Sequence, residues 1–193
     1  MKINSILEKL KSYLKELTIV TAGVLIALFI SNHKENNQAI KYHSTTIETI
    51  NNEVKANYSS LKASIESHTD LLDTITKYSE DNIAIMDLFH KVNGLQFNIL
   101  SNAGLEFYTR SQINLIDFEI MSTLYNMKYS SDLIDTKIER LSDFLYPNIK
   151  ADSKESKTIV SLYLRDVLST EIQLLEFYED FIDKNIENEH NTE

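Results

Sequence analysis

The sequence predicts an all-α protein in which an N-terminal transmembrane helix is followed by an antiparallel helical bundle with long, coiled-coil-like helices. Three observations support this prediction. Residues 17–32 form an uncharged and mostly apolar run. The 193-residue chain contains only three glycines and one proline, so turns are few and a β-sandwich or barrel is disfavoured. Apolar residues recur at helical spacing over most of the chain after residue 40.

The apolar run is assigned to a transmembrane helix at residues 17–33. A bilayer core of about 30 Å needs roughly 20 apolar residues in a helix, so the run is short. Tyr13 and Leu14 extend it upstream if the Lys15 ammonium reaches the headgroups. The alternatives are a buried core helix and a cleavable signal peptide. The first is disfavoured because no later segment is equally free of charge, and the second because no well-placed pair of small residues follows the run.

The placement of charge predicts the topology. Residues 1–16 carry four lysines against two glutamates, whereas the whole chain has a net charge of −10. Positively charged flanks stay in the cytoplasm. We therefore predict a cytoplasmic, amphipathic and basic segment at residues 1–16, an extracytoplasmic helical bundle at residues 34–186 and a polar tail at residues 187–193. The chain is expected to cross the inner membrane once, with its N-terminus inside and the bundle in the periplasm.

Small residues recur within the predicted span. Gly23, Ala27 and Ser31 follow one another at intervals of four residues. This spacing places them on one face of a helix, where they allow a second membrane helix to approach closely. The alternative is that they reflect only the general abundance of small residues in membrane helices. The three residues are candidates for transmembrane helix packing.

A first long helix after the span is predicted from a seven-residue repeat. Its first positions are Ile40, Ile47, Val54, Leu61, His68 and Ile75. Apolar residues three or four positions later, such as Ile50 and Leu71, complete a seam of the coiled-coil type. Two ends are compatible with the pattern: a break in the polar cluster Ser79–Asn82, or a continuation to Val92 with Gly94 as the stop.

Two more helices are predicted in the middle of the chain. A short helix is expected from Leu105 to Arg110. A second long amphipathic helix carries apolar residues from Ile113 to Leu145. The segment 146–148 ends it, because Pro147 donates no backbone N–H and restricts the residue before it.

The last predicted helix carries apolar residues at helical spacing from Val160 to Ile186. A turn at residues 151–154 precedes it, and Asp152 or Ser153 is expected to cap its N-terminus. The polar residues from Glu187 onward are expected to fray.

The residues around the apolar run resemble the signature of an uncharacterised bacterial family of small, single-pass membrane proteins. That family opens with a pattern close to E-I-x-L-V-x-I-G-I-L-I-A-L-x-I-N-N-W-N-E, followed by a long helical region. The matching residues are Glu16, Val20, Gly23, Leu25, Ile26, Ala27, Leu28, Ile30, Asn32 and Glu35. His33 stands where the family has tryptophan and Ser31 where it has an asparagine, while Ser101–Leu105 is similar to a Ser-Gly-Gly-Leu turn in the family's soluble part. The resemblance implies an anchored helical architecture in a Gram-negative envelope and implies no activity.

The sequence lacks the residues of the common catalytic and metal sites. It has no cysteine, and it contains no Gly-rich phosphate loop, no G-x-S-x-G and no H-E-x-x-H motif. Asp87 and His90 lie one helical turn apart, and Glu187 and His190 repeat that spacing, but a di-metal site also needs further inward carboxylates on packed helices. We predict no metal and no cofactor. His68 is interpreted as a partly buried histidine with satisfied hydrogen bonds; a ligand role and a pH-responsive role are the alternatives.

These patterns predict a membrane-anchored, non-enzymatic helical protein that serves as an interaction or accessory subunit in the bacterial envelope. Its expected partners are the lipid bilayer and either a second copy or another membrane or envelope protein. Nucleic acid is not expected, because the net charge of −10 provides no basic surface. The alternative function is an extracytoplasmic ligand-sensing module. Such a module would signal through a partner, because residues 1–16 are too few for an output domain.

Overall fold

The structure is a computed structural model that describes residues 2–104, 106 and 118–187, with side chains from residue 11 onward except those of residues 12, 186 and 187. Four helices lie entirely within these described residues, and we number them in chain order: α1 (Lys2–Lys77), α2 (Ile85–Lys91), α3 (Phe118–Asn148) and α4 (Lys154–Ile182). A π-helical turn at Asp183–Glu187 follows α4. No strand occurs among the described residues, so the predicted all-α class is confirmed. The chain divides into two units, residues 1–46 and 47–193.

The first unit is the N-terminal part of α1. Its apolar side chains are exposed, including Leu17 (63 %), Leu25 (61 %) and Phe29 (73 %). The helix contains an 18-residue window with a mean hydropathy of 1.9, of which nothing is buried. In length and composition this is the one helix of the described chain that could cross a membrane. The backbone of the predicted amphipathic segment is helical from Lys2 onward, whereas the apolar side chains that would make it amphipathic lie largely outside the described residues.

The second unit, which we call the bundle, packs the part of α1 after residue 46 with α3 and α4. Tyr58 and His68 of α1 form hydrogen bonds with Glu179 and Glu171 of α4, so residue numbers rise along one helix as they fall along the other. Residues 149–153 connect α3 and α4, which pack against each other as a helical hairpin. The predicted antiparallel arrangement is therefore present in the bundle.

Two hydrophobic clusters form the core of the bundle. The first contains Ile50, Val54, Leu61, Leu124, Met127, Ile134, Leu174, Tyr178 and Phe181. The second contains Leu71, Ile75, Ile85, Leu88, Phe89, Leu141, Val160, Leu164 and Leu168. Each large apolar side chain that is fully buried contributes about 1.5–3 kcal/mol to folding. The second cluster explains the position of α2, whose apolar residues complete the core beside the end of α1.

The buried face of α1 follows the seven-residue repeat. Its buried residues within the bundle are Ile50, Val54, Asn57, Leu61, Ser64, His68, Leu71 and Ile75, at alternating intervals of four and three. The predicted first positions from Val54 to Ile75 are thus confirmed as buried. Ile40, which was predicted to open the repeat, is 60 % exposed because it lies in the first unit rather than in the bundle.

The first helix ends at the earlier of its two predicted stops. α1 terminates at Lys77, and a turn follows in which the Asp81 N–H donates to the Tyr78 carbonyl at 3.3 Å. A continuous helix to Val92 does not occur. The short helix α2 ends instead in a Schellman motif, in which Asn93 has a φ of +62° and the Gly94 N–H donates to the Phe89 carbonyl at 2.8 Å.

The ends of α3 and α4 agree with their sequence signals. α3 closes at Asn148, one residue after Pro147, as the proline predicted. Ser153 is the N-cap of α4, and its Oγ accepts a hydrogen bond from the Ser156 N–H at 3.2 Å. Of the two proposed caps, Ser153 is therefore the one used, because its extended backbone aims the hydroxyl at the open N–H groups of the first turn.

Some predictions fall outside the described residues. Of the short helix proposed for Leu105–Arg110, only Glu106 is described, and its backbone is helical. Ala103 and Gly104, which precede the proposed helix, are helical as well. The proposed start of the second long helix, at Ile113, also lies outside, and the described part of that helix begins at Phe118. Residues 188–193 of the predicted tail are likewise outside the described chain.

Candidate functional site

Residues 93–104 connect α2 to the following part of the chain without a regular hydrogen-bond pattern up to Asn102. We call this segment the strap. Leu95, Phe97 and Leu100 are half-buried, and Gly104 is the one residue of the strap that is fully buried. An irregular backbone against a protein core needs hydrogen-bond partners for its N–H and C=O groups. The polar residues on the buried face of α1 supply several of them.

His68 is the most deeply buried of these partners. Its side chain is 0 % exposed, and its Nδ1 lies 2.9 Å from Glu171 Oε2 on α4. Its Nε2 lies 2.9 Å from the carbonyl oxygen of Gln96 in the strap. Because a carbonyl oxygen only accepts, Nε2 carries a proton and donates to it. The contact between Nδ1 and the Glu171 carboxylate is a hydrogen bond within the core of the bundle.

The His68 ring is also enclosed by an aromatic side chain. Phe97 of the strap contacts it with the ring centroids 4.8 Å apart and the planes tilted by 53°. His68 therefore joins three parts of the bundle, α1, α4 and the strap. The predicted satisfied hydrogen bonds of His68 are confirmed, and its side chain is completely rather than partly buried.

Asn57, eleven residues before His68 on α1, also holds the strap. Its Nδ2 donates to the Ser101 carbonyl at 2.6 Å, and its Oδ1 accepts from the Ser101 N–H at 3.0 Å. The amide thereby pairs with a backbone residue as a neighbouring strand would. Nδ2 also lies 3.3 Å from the Tyr178 hydroxyl of α4. Burial raises the pKa of Tyr178 well above its usual range, and the hydrogen bond from Asn57 offsets this only in part.

The remaining strap contacts complete a polar row along α1. Asn98 Nδ2 donates to the Ser60 carbonyl at 2.8 Å and to Ser64 Oγ at 2.9 Å. The Gly104 N–H donates to Glu53 Oε2 at 2.7 Å. Asn57, His68 and Glu53 thus pair with backbone groups of the strap, and Ser64 accepts from the side chain of Asn98.

Replacing Gly104 by alanine is expected to destabilise the bundle by about 1–3 kcal/mol, because a Cβ has no room there. Such a Cβ would lie 2.7 Å from Glu53 Oε2 and 3.2 Å from Ile50 Cγ1. Glu53 would have to move, which weakens its bond to the strap. Urea denaturation followed by circular dichroism measures the loss. Gly23→Ala is the control, since no atom lies within 4 Å of its Cβ position, and an equal effect of both changes would contradict the prediction.

Lys157 is a second buried charged residue, at the opposite end of the α1 seam. It is 0 % exposed, and its Nζ donates to the Tyr78 carbonyl at 3.0 Å and to the Asp81 carbonyl. Carbonyl groups at the end of a helix carry partial negative charge, which a lysine ammonium stabilises. Lys157 thus closes the C-terminal end of α1 from within α4.

The residues proposed for membrane helix packing lie on the first unit. Gly23, Ala27 and Ser31 are all exposed and spaced at one helical turn along α1. Ser31 Oγ donates to Glu35 Oε1 at 3.1 Å within the same helix. The spacing agrees with a common helix face, and their role in packing stays a prediction.

The candidate metal pairs do not come together with other ligands in the described part of the chain. Asp87 and His90 are both exposed on α2. Across residues 2–104, 106 and 118–187, no group of three histidine, cysteine, aspartate or glutamate side chains is placed to hold a metal ion. Glu187 ends the π-helical turn, and His190 lies outside the described residues.

Comparison of the chain with models of protein families, with curated proteins and with solved structures finds no match. The resemblance of residues 16–35 to an uncharacterised membrane family therefore stays a prediction. The function must be argued from the residues of this chain alone.

Proposed function

We propose that the chain is a single-pass membrane protein whose helical bundle acts as a non-enzymatic interaction or accessory subunit of the bacterial envelope. The observation that carries the proposal is the exposed apolar stretch on α1. From residue 17 to residue 32 every side chain is exposed and none is charged. A bilayer removes such a surface from water at a gain of about 25 cal/mol for each Å². The bilayer is thus the first partner.

The proposed topology places the basic residues before the span in the cytoplasm and the acidic bundle in the periplasm of an inner membrane. This follows the preference of lysine-rich flanks for the cytoplasmic side. It is supported by four lysines before residue 17 and by a net charge of −10 for the whole chain.

Topology is tested with single cysteines, because the chain has no natural cysteine. Asp152→Cys places a thiol in the exposed turn before α4 without removing the Ser153 cap. We expect it to react with a membrane-impermeant thiol reagent in cells with a permeabilised outer membrane. Lys11→Cys, in the basic segment, is the matched control and is expected to react only after lysis. If Lys11→Cys reacted in these cells and Asp152→Cys reacted only after lysis, the proposed orientation would be wrong. If the labelled protein could be washed off the membranes, the proposal of a membrane anchor would be wrong.

The second partner is proposed to be a protein in the same membrane, and cross-linking in intact membranes followed by mass spectrometry identifies it. Recovery of this chain alone would indicate self-association, and one reproducible second protein would indicate an accessory subunit. Recovery of neither would contradict an interaction role. Gly23→Leu and Ala27→Leu are expected to reduce the cross-linked yield several-fold, because bulk on that face keeps helices apart. Thr21→Leu, on the opposite face, is expected to leave the yield unchanged.

A further inference from the structure

An open groove lies between the end of α1 and the first half of α4. Its volume is about 390 Å³. Three cationic side chains of α4, Lys154, Lys157 and Arg165, line it together with a single carboxylate, Glu80. Its size falls at the lower end of the range of about 300–1,000 Å³ that is typical of sites for small molecules.

The charge of this groove is opposite to that of the protein. The chain carries a net charge of −10, and another large groove of the bundle, between α1 and the residues around the end of α2, is lined by three carboxylates and one lysine. In the groove between α1 and α4, cationic side chains therefore outnumber carboxylates, whereas the chain as a whole is negatively charged. A site of this kind attracts anions and repels cations.

Several hydrogen-bond donors in the groove are uncommitted. No side chain or carbonyl within residues 2–104, 106 and 118–187 pairs with the exposed Arg165 guanidinium. Lys157 is 0 % exposed and donates to the Tyr78 and Asp81 carbonyls, so it adds positive charge beside the groove but offers no donor to a ligand in it. Lys154 pairs with Glu80, but both side chains are largely exposed, at 64 % and 71 %, and such pairs hold weakly.

We propose that this groove binds a phosphate group, carried either by a small soluble phosphate ester or by a phospholipid headgroup. The Arg165 guanidinium presents parallel N–H groups that match two phosphate oxygens, and the exposed Lys154 ammonium adds a further charged donor. The hydroxyls of Ser79 and Ser161 also line the groove and supply neutral donors to the remaining oxygens. Leu162, which is 61 % exposed at the same groove, offers an apolar contact to the rest of the ligand.

Inorganic phosphate tests the site on the full chain in a maltoside detergent. We expect the ³¹P resonance of phosphate to broaden when the protein is added. Phosphate is also expected to raise the melting temperature of the protein above its value in chloride of equal ionic strength, because a ligand that binds only the folded state stabilises it. Arg165→Gln is expected to weaken phosphate binding about tenfold or more, since it removes a charge-assisted contact. Arg140→Gln, an exposed arginine on α3 outside the groove, is the matched control and is expected to bind as the native chain does.

The source of the phosphate is distinguished by two further ligands. Glycerol phosphate and short-chain phosphatidylglycerol carry the same headgroup chemistry, with and without acyl chains. Binding of the lipid about tenfold more tightly would assign the groove to a headgroup, and equal binding would assign it to a soluble ester. The proposal is overturned if the folded protein shows no response to phosphate, or if Arg165→Gln and Arg140→Gln respond alike. Neither result would affect membrane anchoring, which the cysteine labelling tests separately.

Discussion

Replacing His68 by leucine is expected to lower the free energy of unfolding of the bundle by about 3–5 kcal/mol. The change leaves the Glu171 carboxylate, whose side chain is 3 % exposed, without its partner in the described core. It also removes the donor to the Gln96 carbonyl of the strap. Urea denaturation in detergent, followed by circular dichroism at 222 nm, measures the loss. His90→Leu, at an exposed position on α2, is the control and is expected to change stability by less than about 0.5 kcal/mol.

The paired substitution isolates the interaction from the loss of either side chain. The double variant His68→Leu with Glu171→Leu removes both charges, and we expect it to be more stable than His68→Leu alone, because no buried carboxylate is left unpaired. Glu171→Gln is expected to cost less than Glu171→Leu, since the amide can donate to Nδ1. If the two leucine substitutions were simply additive, the two side chains would not interact as the 2.9 Å contact indicates.

Replacing Lys157 by methionine is expected to destabilise the bundle by about 2–4 kcal/mol, because hydrogen bonds from a charged donor contribute about 1.5–3 kcal/mol each. Methionine preserves most of the volume, so the loss reports the ammonium rather than packing. The Tyr78 and Asp81 carbonyls at the end of α1 lose their donor. Native-state hydrogen exchange of the last turn of α1 is expected to accelerate along with global unfolding.

Lys154→Met is the matched control for this charge. It lies three residues earlier on α4 and pairs with Glu80, but its side chain is 64 % exposed. We expect it to cost less than about 1 kcal/mol, as exposed ion pairs do. Equal losses for the two lysines would show that the buried ammonium does not hold the end of α1.

Where side chains repeat at helical spacing, the sequence predicted the structure well. Val54, Leu61 and Ile75 were assigned to the buried face of α1, and all three are buried. Pro147 and Ser153 correctly marked the end of α3 and the start of α4, because a proline and a cap act on the backbone next to them. For α1 the same local signals were compatible with two C-terminal ends, because apolar residues continue at the same spacing through the turn after Lys77.

Local sequence patterns do not predict which polar residues lie in the core. Asn57 and Ser64 occupy buried positions of the repeat that a pattern of apolar residues does not identify. Their partners, Ser101 and Asn98, are 44 and 34 residues away in the chain. The apolar spacing of α4 does not mark Lys157 as a core residue, and it is buried because the turn after α1 ends against it. Nothing near these residues in the sequence specifies the contacts.

The sequence by itself determined the all-α class, the apolar stretch on the first helix and the spacing of the α1 seam, because each depends on composition or on neighbours within a few turns. Only the tertiary structure decided that His68 pairs with Glu171, that Lys157 closes the end of α1 and that residues 93–104 are held along the seam. These contacts join residues that are far apart in the chain. A buried polar group is tolerated only where the fold brings it a partner, and no local pattern records which partner that is.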